Sequence, residues 1–187
     1  MDALELLISR TSSPMLEAPA PSAEQLELML RAAARAPDHG SLKPYRFLKV
    51  EGEGLHALGE LFIQASLADD PDLPEAQITK LRNMPKRAPM ILVAIAVTQE
   101  HPKVPKSEQL ITAGCAAQAV IQAASAQGVG AMWRSGALAF NPRVAQGLGL
   151  ADHEEIIGFV YLGSVVKEKP VPAADTAALI ADWPAHG

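Results

Sequence analysis

Apolar and polar positions alternate with helical spacing at the start of the chain. Asp2 stands as a helix N-cap before Leu4, Leu6, Leu7 and Ile8, and the polar turn Arg10-Thr11-Ser12-Ser13-Pro14 ends that helix near residue 10. Ser22-Ala23-Glu24-Gln25 has the form of a capping box, and Leu26, Met29, Leu30, Ala33 and Ala34 continue a second helix until Pro37. Phe47, Leu48 and Val50 read as a strand that stops at Glu51-Gly52-Glu53-Gly54. Helical periodicity then returns from Leu55 to Leu67. The proline-rich excursion 69–74 leads to a helix over Glu75 to Met84, closed by Pro85, and this segment is expected to be a mobile insertion.

The run Pro89 to Val97 is apolar at nearly every position, as a strand buried on both faces would be. Ser107 is the expected cap of a long alanine-rich helix reaching Gln127, with Gly128 at its C′ position. Ile111, Cys115, Ala119 and Gln122 run along that helix as either a core spine or the centre of a dimer interface. Gly130 to Arg134 is a short strand, Asn141-Pro142 opens a helix that Gly149 ends, and Ile156 to Leu162 is a strong strand closed by Gly163. About four strands and six or seven helices result, without strict βαβ alternation, which predicts an α+β fold with a mixed sheet. The last 24 residues carry Pro170, Pro172 and Pro184 together with Leu179, Ile180 and Trp183, and are expected to lie on a neighbouring surface.

A length of 187 residues and 49% apolar content fit one domain over 1–187. A net charge of −5 argues against a general affinity for nucleic acid, so basic character must be local. The single cysteine, Cys115, excludes an internal disulfide and suits a reducing, cytoplasmic setting. Met1-Asp2-Ala3-Leu4-Glu5 has no signal-peptide pattern, and the apolar run at 89–97 is about half of the ~20 residues a membrane span needs.

Three segments hold groups suited to binding. Arg35 to Phe47 packs four potential cations (Arg35, His39, Lys43, Arg46) and two prolines into a stiff connector, which points to an anionic, aromatic ligand. Arg10-Thr11-Ser12 offers a guanidinium and two hydroxyls to a phosphate, although an arginine at a helix C-terminus also complements the helix dipole unaided. Gly128-Val129-Gly130-Ala131-Met132-Trp133-Arg134-Ser135-Gly136 allows a planar ligand close to the backbone, although taken alone it reads more simply as a helix stop followed by a core tryptophan. It follows a helix and opens a strand, so it is no dinucleotide fingerprint. His39, His56, His101, His153 and His186 show no metal-ligand spacing, and no Gly-x-Ser-x-Gly nucleophile motif occurs.

Together, the Arg10-Thr11-Ser12 turn, the Arg35 to Phe47 connector and the Gly128 to Gly136 segment resemble the nitroreductase family, and specifically its minimal, YdjA-like branch, over residues 1 to about 165. The resemblance implies an α+β homodimer with a mixed sheet flanked by helices and a domain-swapped C-terminal extension. It implies FMN at each end of the dimer interface, NADH or NADPH as hydride donor, and nitroaromatics, quinones or similar small molecules as acceptors. By position, Arg10, Thr11 and Ser12 would hold the phosphate end, Arg35 and His39 would reach the partner subunit's flavin, and Ala131, Met132 and Trp133 would line the isoalloxazine ring. The flavin carries the chemistry, so no catalytic side chain and no metal are expected. The same contacts would serve a flavin-binding sensor or carrier without turnover, or a specialised flavin enzyme of the same superfamily. Thr11 replaces a second arginine usual in the branch, and Lys43-Pro44-Tyr45 replaces a Gln-Pro-Trp sequence of the wider family. Lys167 and Lys169 stand where larger relatives place phosphate-binding cations, in a local sequence that assigns neither.

Overall fold

The computed structural model describes residues 2–183, so Met1, Pro184 and His186 lie outside it. Capping chemistry sets the first helices as the sequence anticipates. Asp2 accepts from the amides of Leu4 and Glu5 at the start of α1 (Ala3–Ser9), and the Ser22–Gln25 capping box opens α2 (Ala23–Ala33). The connector then enters β2 (Tyr45–Glu51), which follows a two-residue strand β1 (Leu16–Glu17) that the sequence pattern does not show. Next come α3 (Glu53–Asp69), α4 (Glu75–Asn83) and β3 (Met90–Val97). The chain continues with α5 (Lys106–Ala126), β4 (Gly130–Arg134), α6 (Pro142–Gly147) and β5 (Glu154–Val165).

β3 lies between β2 and β5, β4 pairs with β5, and β1 pairs with the last two residues of β5. The expected α+β class is what the structure shows, with every strand pairing among the described residues antiparallel where a mixed sheet was expected. Side-chain alternation divides β3 and β5 between two cores. On one face Ile91, Val93, Ile95, Phe159 and Tyr161 pack under α3 and α4; on the other Leu92, Ala94, Val160 and Leu162 pack under α2 and α5. Helices thus cover both faces of one sheet, which explains why β3 carries no polar face.

The structure modifies three local expectations. α5 begins at Lys106 after Pro105, whose φ of −67° and ψ of 158° supply the extended entry, so Ser107 is already inside the helix and caps nothing. β5 runs past Gly163 to Val165 and starts at Glu154, because its ends pair by backbone hydrogen bonds that need no apolar side chain. The excursion at 69–84 is packed rather than loose. Leu81 of α4 is buried, and Gly59 of α3 lies so close to the Arg82 carbonyl that a Cβ there would fall 2.7 Å from its oxygen.

Candidate functional site

α5 crosses the molecule from the connector at its start to the Arg10 turn at its end. Gly128, at φ 73°, turns the chain sharply out of the helix into β4, and the Ser13 amide donates to the Ala131 carbonyl at 3.0 Å, which docks the Arg10-Thr11-Ser12 turn onto that strand. A cavity of about 260 Å³ results, lined by Arg10, Thr11, Ser125, Gly130, Ala131 and Lys169, with the Glu168 carboxylate also on its wall. A second hollow shares Arg10, Thr11 and Lys169 and adds Ser12 and Pro170. Nη1 of Arg10 donates weakly to Ser12 Oγ at 3.4 Å, and its other guanidinium donors have no partner among the described residues.

The structure therefore brings Arg10, Thr11, Ser12 and Ala131 together, and adds Lys169, which sequence reasoning left unassigned. The signal was out of reach of local pattern, since Lys169 lies 159 positions from Arg10 in the chain. Gly130 stands out in the sequence only as part of the Gly128 to Gly136 segment. Its role is steric: a Cβ at 130 would fall 2.4 Å from a Leu16 methyl, so the close approach of β1 and β4 beneath the cavity requires glycine.

Alternation along β4 separates the three residues expected at the ring. Ala131 and Trp133 face the α2/α5 side, whereas Met132 packs into the α3/α4 core beside Tyr161. Only the Met132 backbone is thus shared with the Ala131 side. Arg134 follows on the Met132 side, stacked 5.3 Å above the Tyr161 ring, with Nη2 donating to the Pro14 carbonyl at 2.9 Å. Its Nε is buried without a partner among the described residues. Burial and the nearby Arg87 cation lower the Arg134 guanidinium from its ordinary value, and burial raises the Tyr161 hydroxyl to about 12.

The connector is held at the other end of α5. Asp38 accepts from the amides of Leu42 (3.2 Å) and Lys43 (2.7 Å), and Gly40, Ser41 and Lys43 all have positive φ. Two non-glycine residues in the left-handed region mark a strained loop that its hydrogen bonds hold in place. His39 Nδ1 is paired with Glu108 Oε2 at 2.7 Å, on the first turn of α5. Arg35 lines an apolar groove of about 760 Å³ with Leu6, Ile111, Cys115, Ala119 and Gln122. This settles part of the α5 question: Ala113, Ala116, Ala117, Val120 and Ala124 form its core face, while Ile111, Cys115, Ala119 and Gln122 line the open groove.

Glu108 and Ser125 are separated by roughly 25 Å along the α5 axis at 1.5 Å per residue. Within one chain, His39 therefore cannot touch a small ligand held by Arg10 and Ala131.

The Nitroreductase family profile matches residues 9–164. The chain is 47% identical over 164 residues to an Escherichia coli (strain K12) protein named Putative NAD(P)H nitroreductase YdjA, an alignment covering 88% of each. The chain belongs to the nitroreductase family. Solved structures agree on the fold of this nitroreductase-family chain. A nitroreductase-like family protein from Bacillus cereus superposes with a TM-score of 0.83 at 19% identity, covering 98% of this chain and 97% of that one. A Desulfovibrio desulfuricans protein described as a putative nitroreductase in complex with FMN gives 0.74 at 18%, covering 97% and 96%. Among the described residues no helix is long and apolar enough to cross a membrane.

Proposed function

We propose that the chain is an FMN-dependent oxidoreductase that takes hydride from NADH or NADPH and passes it to nitroaromatics, quinones or similar small acceptors, working as a homodimer. The convergence of Arg10, Thr11 and Lys169 on two hollows, one beside the Gly128–Ala131 backbone and the other including Ser12, carries this reading. The donor set suits the cofactor. Two cations and two hydroxyls match a phosphate, and the glycine-flanked backbone of Gly130 and Ala131 can approach a flat ring closely. FMN supplies the hydride chemistry when bound, and the protein supplies binding, orientation and shielding. Related proteins are named NAD(P)H nitroreductases, and the Desulfovibrio relative is described with FMN.

The dimer is supported by what one chain leaves uncovered. α1 buries none of its residues, and Leu4, Leu7, Ile8 and Ile111 are all more than half exposed around the α5 groove. Leu179, Ile180 and Trp183 are at least 80% exposed in the C-terminal segment, which suits an extension laid on a partner subunit. His39, held about 25 Å along α5 from its own chain's Arg10 hollow, then serves the partner's cofactor, together with Arg35 of the same connector.

Purified protein tests the assignment. It should carry or take up FMN, and anaerobic NADH or NADPH should bleach the flavin band, with colour returning on addition of a quinone. A flavin-loaded protein that neither nucleotide bleaches would be a carrier or sensor. Protein that takes up no FMN would refute the whole assignment.

A further inference from the structure

Gly158 stands in β5 at a position where glycine's backbone freedom is not needed, since its φ is not among the positive values found at Gly40, Gly52, Gly128, Gly136 and Gly149. Glycine inside a strand otherwise weakens it, so a reason of space is indicated. A Cβ at 158 would fall 2.1 Å from Trp133 Nε1, 2.8 Å from Cδ1 and 3.0 Å from the Arg134 carbonyl oxygen. Trp133 is registered opposite Val160, on the same face as Gly158 and diagonal to it. The indole leans along that diagonal and fills the volume the missing side chain leaves. One residue earlier the β3–β5 register slips between Ala94 and Ile95, placing Ile157 on the same side of the sheet as Trp133.

We propose that Gly158 is the positioning residue for Trp133: its bare backbone is the seat that keeps the indole flush against the sheet, beside Ala131. This rests on the FMN-binding role proposed above for β4. The groups around the seat decide what gives way when it is filled. Val160 and Leu162 are fully buried, and the Arg134 carbonyl belongs to the strand, whereas Trp133 is only half-buried. Gly158→Ala must therefore displace the ring from its seat, and with it a side chain that would line the flavin ring in the proposed site.

Trp183→Phe leaves Trp133 as the sole tryptophan, so its emission reports the seat directly. In that background Gly158→Ala should shift the emission to longer wavelength and weaken FMN binding by about tenfold or more. In a Trp133→Ala background the same change should leave FMN affinity unaltered within about twofold. Unchanged emission, an emission shift with unchanged FMN affinity, or losses that simply add in the double variant would each overturn the positioning role. If Gly158→Ala alone fails to fold, the Trp133→Ala/Gly158→Ala double decides: a folded double supports the seat, and an unfolded one assigns the glycine to the sheet itself. If the parent protein takes up no FMN, the cofactor assignment fails while the emission arm still tests the seat.

Discussion

Glu154→Gln tests the best-defined ion pair in the molecule. Arg46 donates from Nε and Nη2 to the two carboxylate oxygens of Glu154 at 2.5 and 2.7 Å, joining the start of β2 to the start of β5, and Ala151 donates its amide to Oε2 at 3.0 Å. The Arg46 hydrogen bonds hold the Glu154 carboxyl down from 4.5 to about 2. Taken whole, that drop corresponds to about 3 kcal/mol. The Glu154 side chain is 9% exposed but its Arg46 partner is 35% exposed, so water screens the pair and about 1–2 kcal/mol is the expected worth. The folded-state value is depressed, so the stabilisation is complete above the unfolded value near 4.5 and disappears as pH falls toward 2. Urea unfolding at pH 7 should show Glu154→Gln less stable than wild type by about 1–2 kcal/mol, and the gap should shrink to roughly a quarter of that by about pH 2.5. A gap of the same size at both pH values would refute an electrostatic origin and leave only packing.

Arg10→Ala should weaken FMN binding by about 1.5–3 kcal/mol, and Lys169→Ala, at an exposed site, by less and with a stronger dependence on salt; titration by flavin fluorescence separates the two, and unchanged affinity in both would move the phosphate elsewhere. Ala119→Arg puts a charge in the apolar groove on α5, so size-exclusion chromatography should show monomer, with FMN lost alongside; a flavin-loaded monomer would contradict the shared site. Gly59→Ala drives a methyl into the Arg82 carbonyl and should cost about 1–3 kcal/mol in chemical denaturation despite alanine's better helix propensity.

Much of the architecture was legible because it depends on local rules. Asp2, the Ser22–Gln25 box, Asn141-Pro142 and Gly128 are signals read within a few residues, and each sits at the boundary expected of it. The fully apolar run at β3 announced a strand covered on both faces. Features that arise from chain segments meeting were not legible. β1 is two residues paired only through the backbone of β5, and no side-chain pattern marks it. Lys169 joins Arg10 only because β1, β4 and the end of β5 converge, and Gly158 acquires meaning only when Trp133 lies across it. Arg10, Thr11, Ser12 and Ala131, expected at the cofactor from the family resemblance, stand near one another in the fold. That Met132 and Trp133 part company follows from strand alternation, but which of them takes the α2/α5 face is set by the pairing of β4 with β5, which no local pattern in the sequence reveals.

The length of α5 has a genetic consequence. In the proposed dimer each pocket draws Arg10 and Trp133 from one subunit and Arg35 and His39 from the other, with the helix holding a chain's two contributions apart. A chain damaged at Arg10 and another damaged at His39 therefore carry complementary lesions. Co-expressed, they assemble some mixed pairs in which one pocket inherits both faults and the other neither. Two inactive alleles of this protein would rescue one another, and alleles hit at the same end of α5 would not.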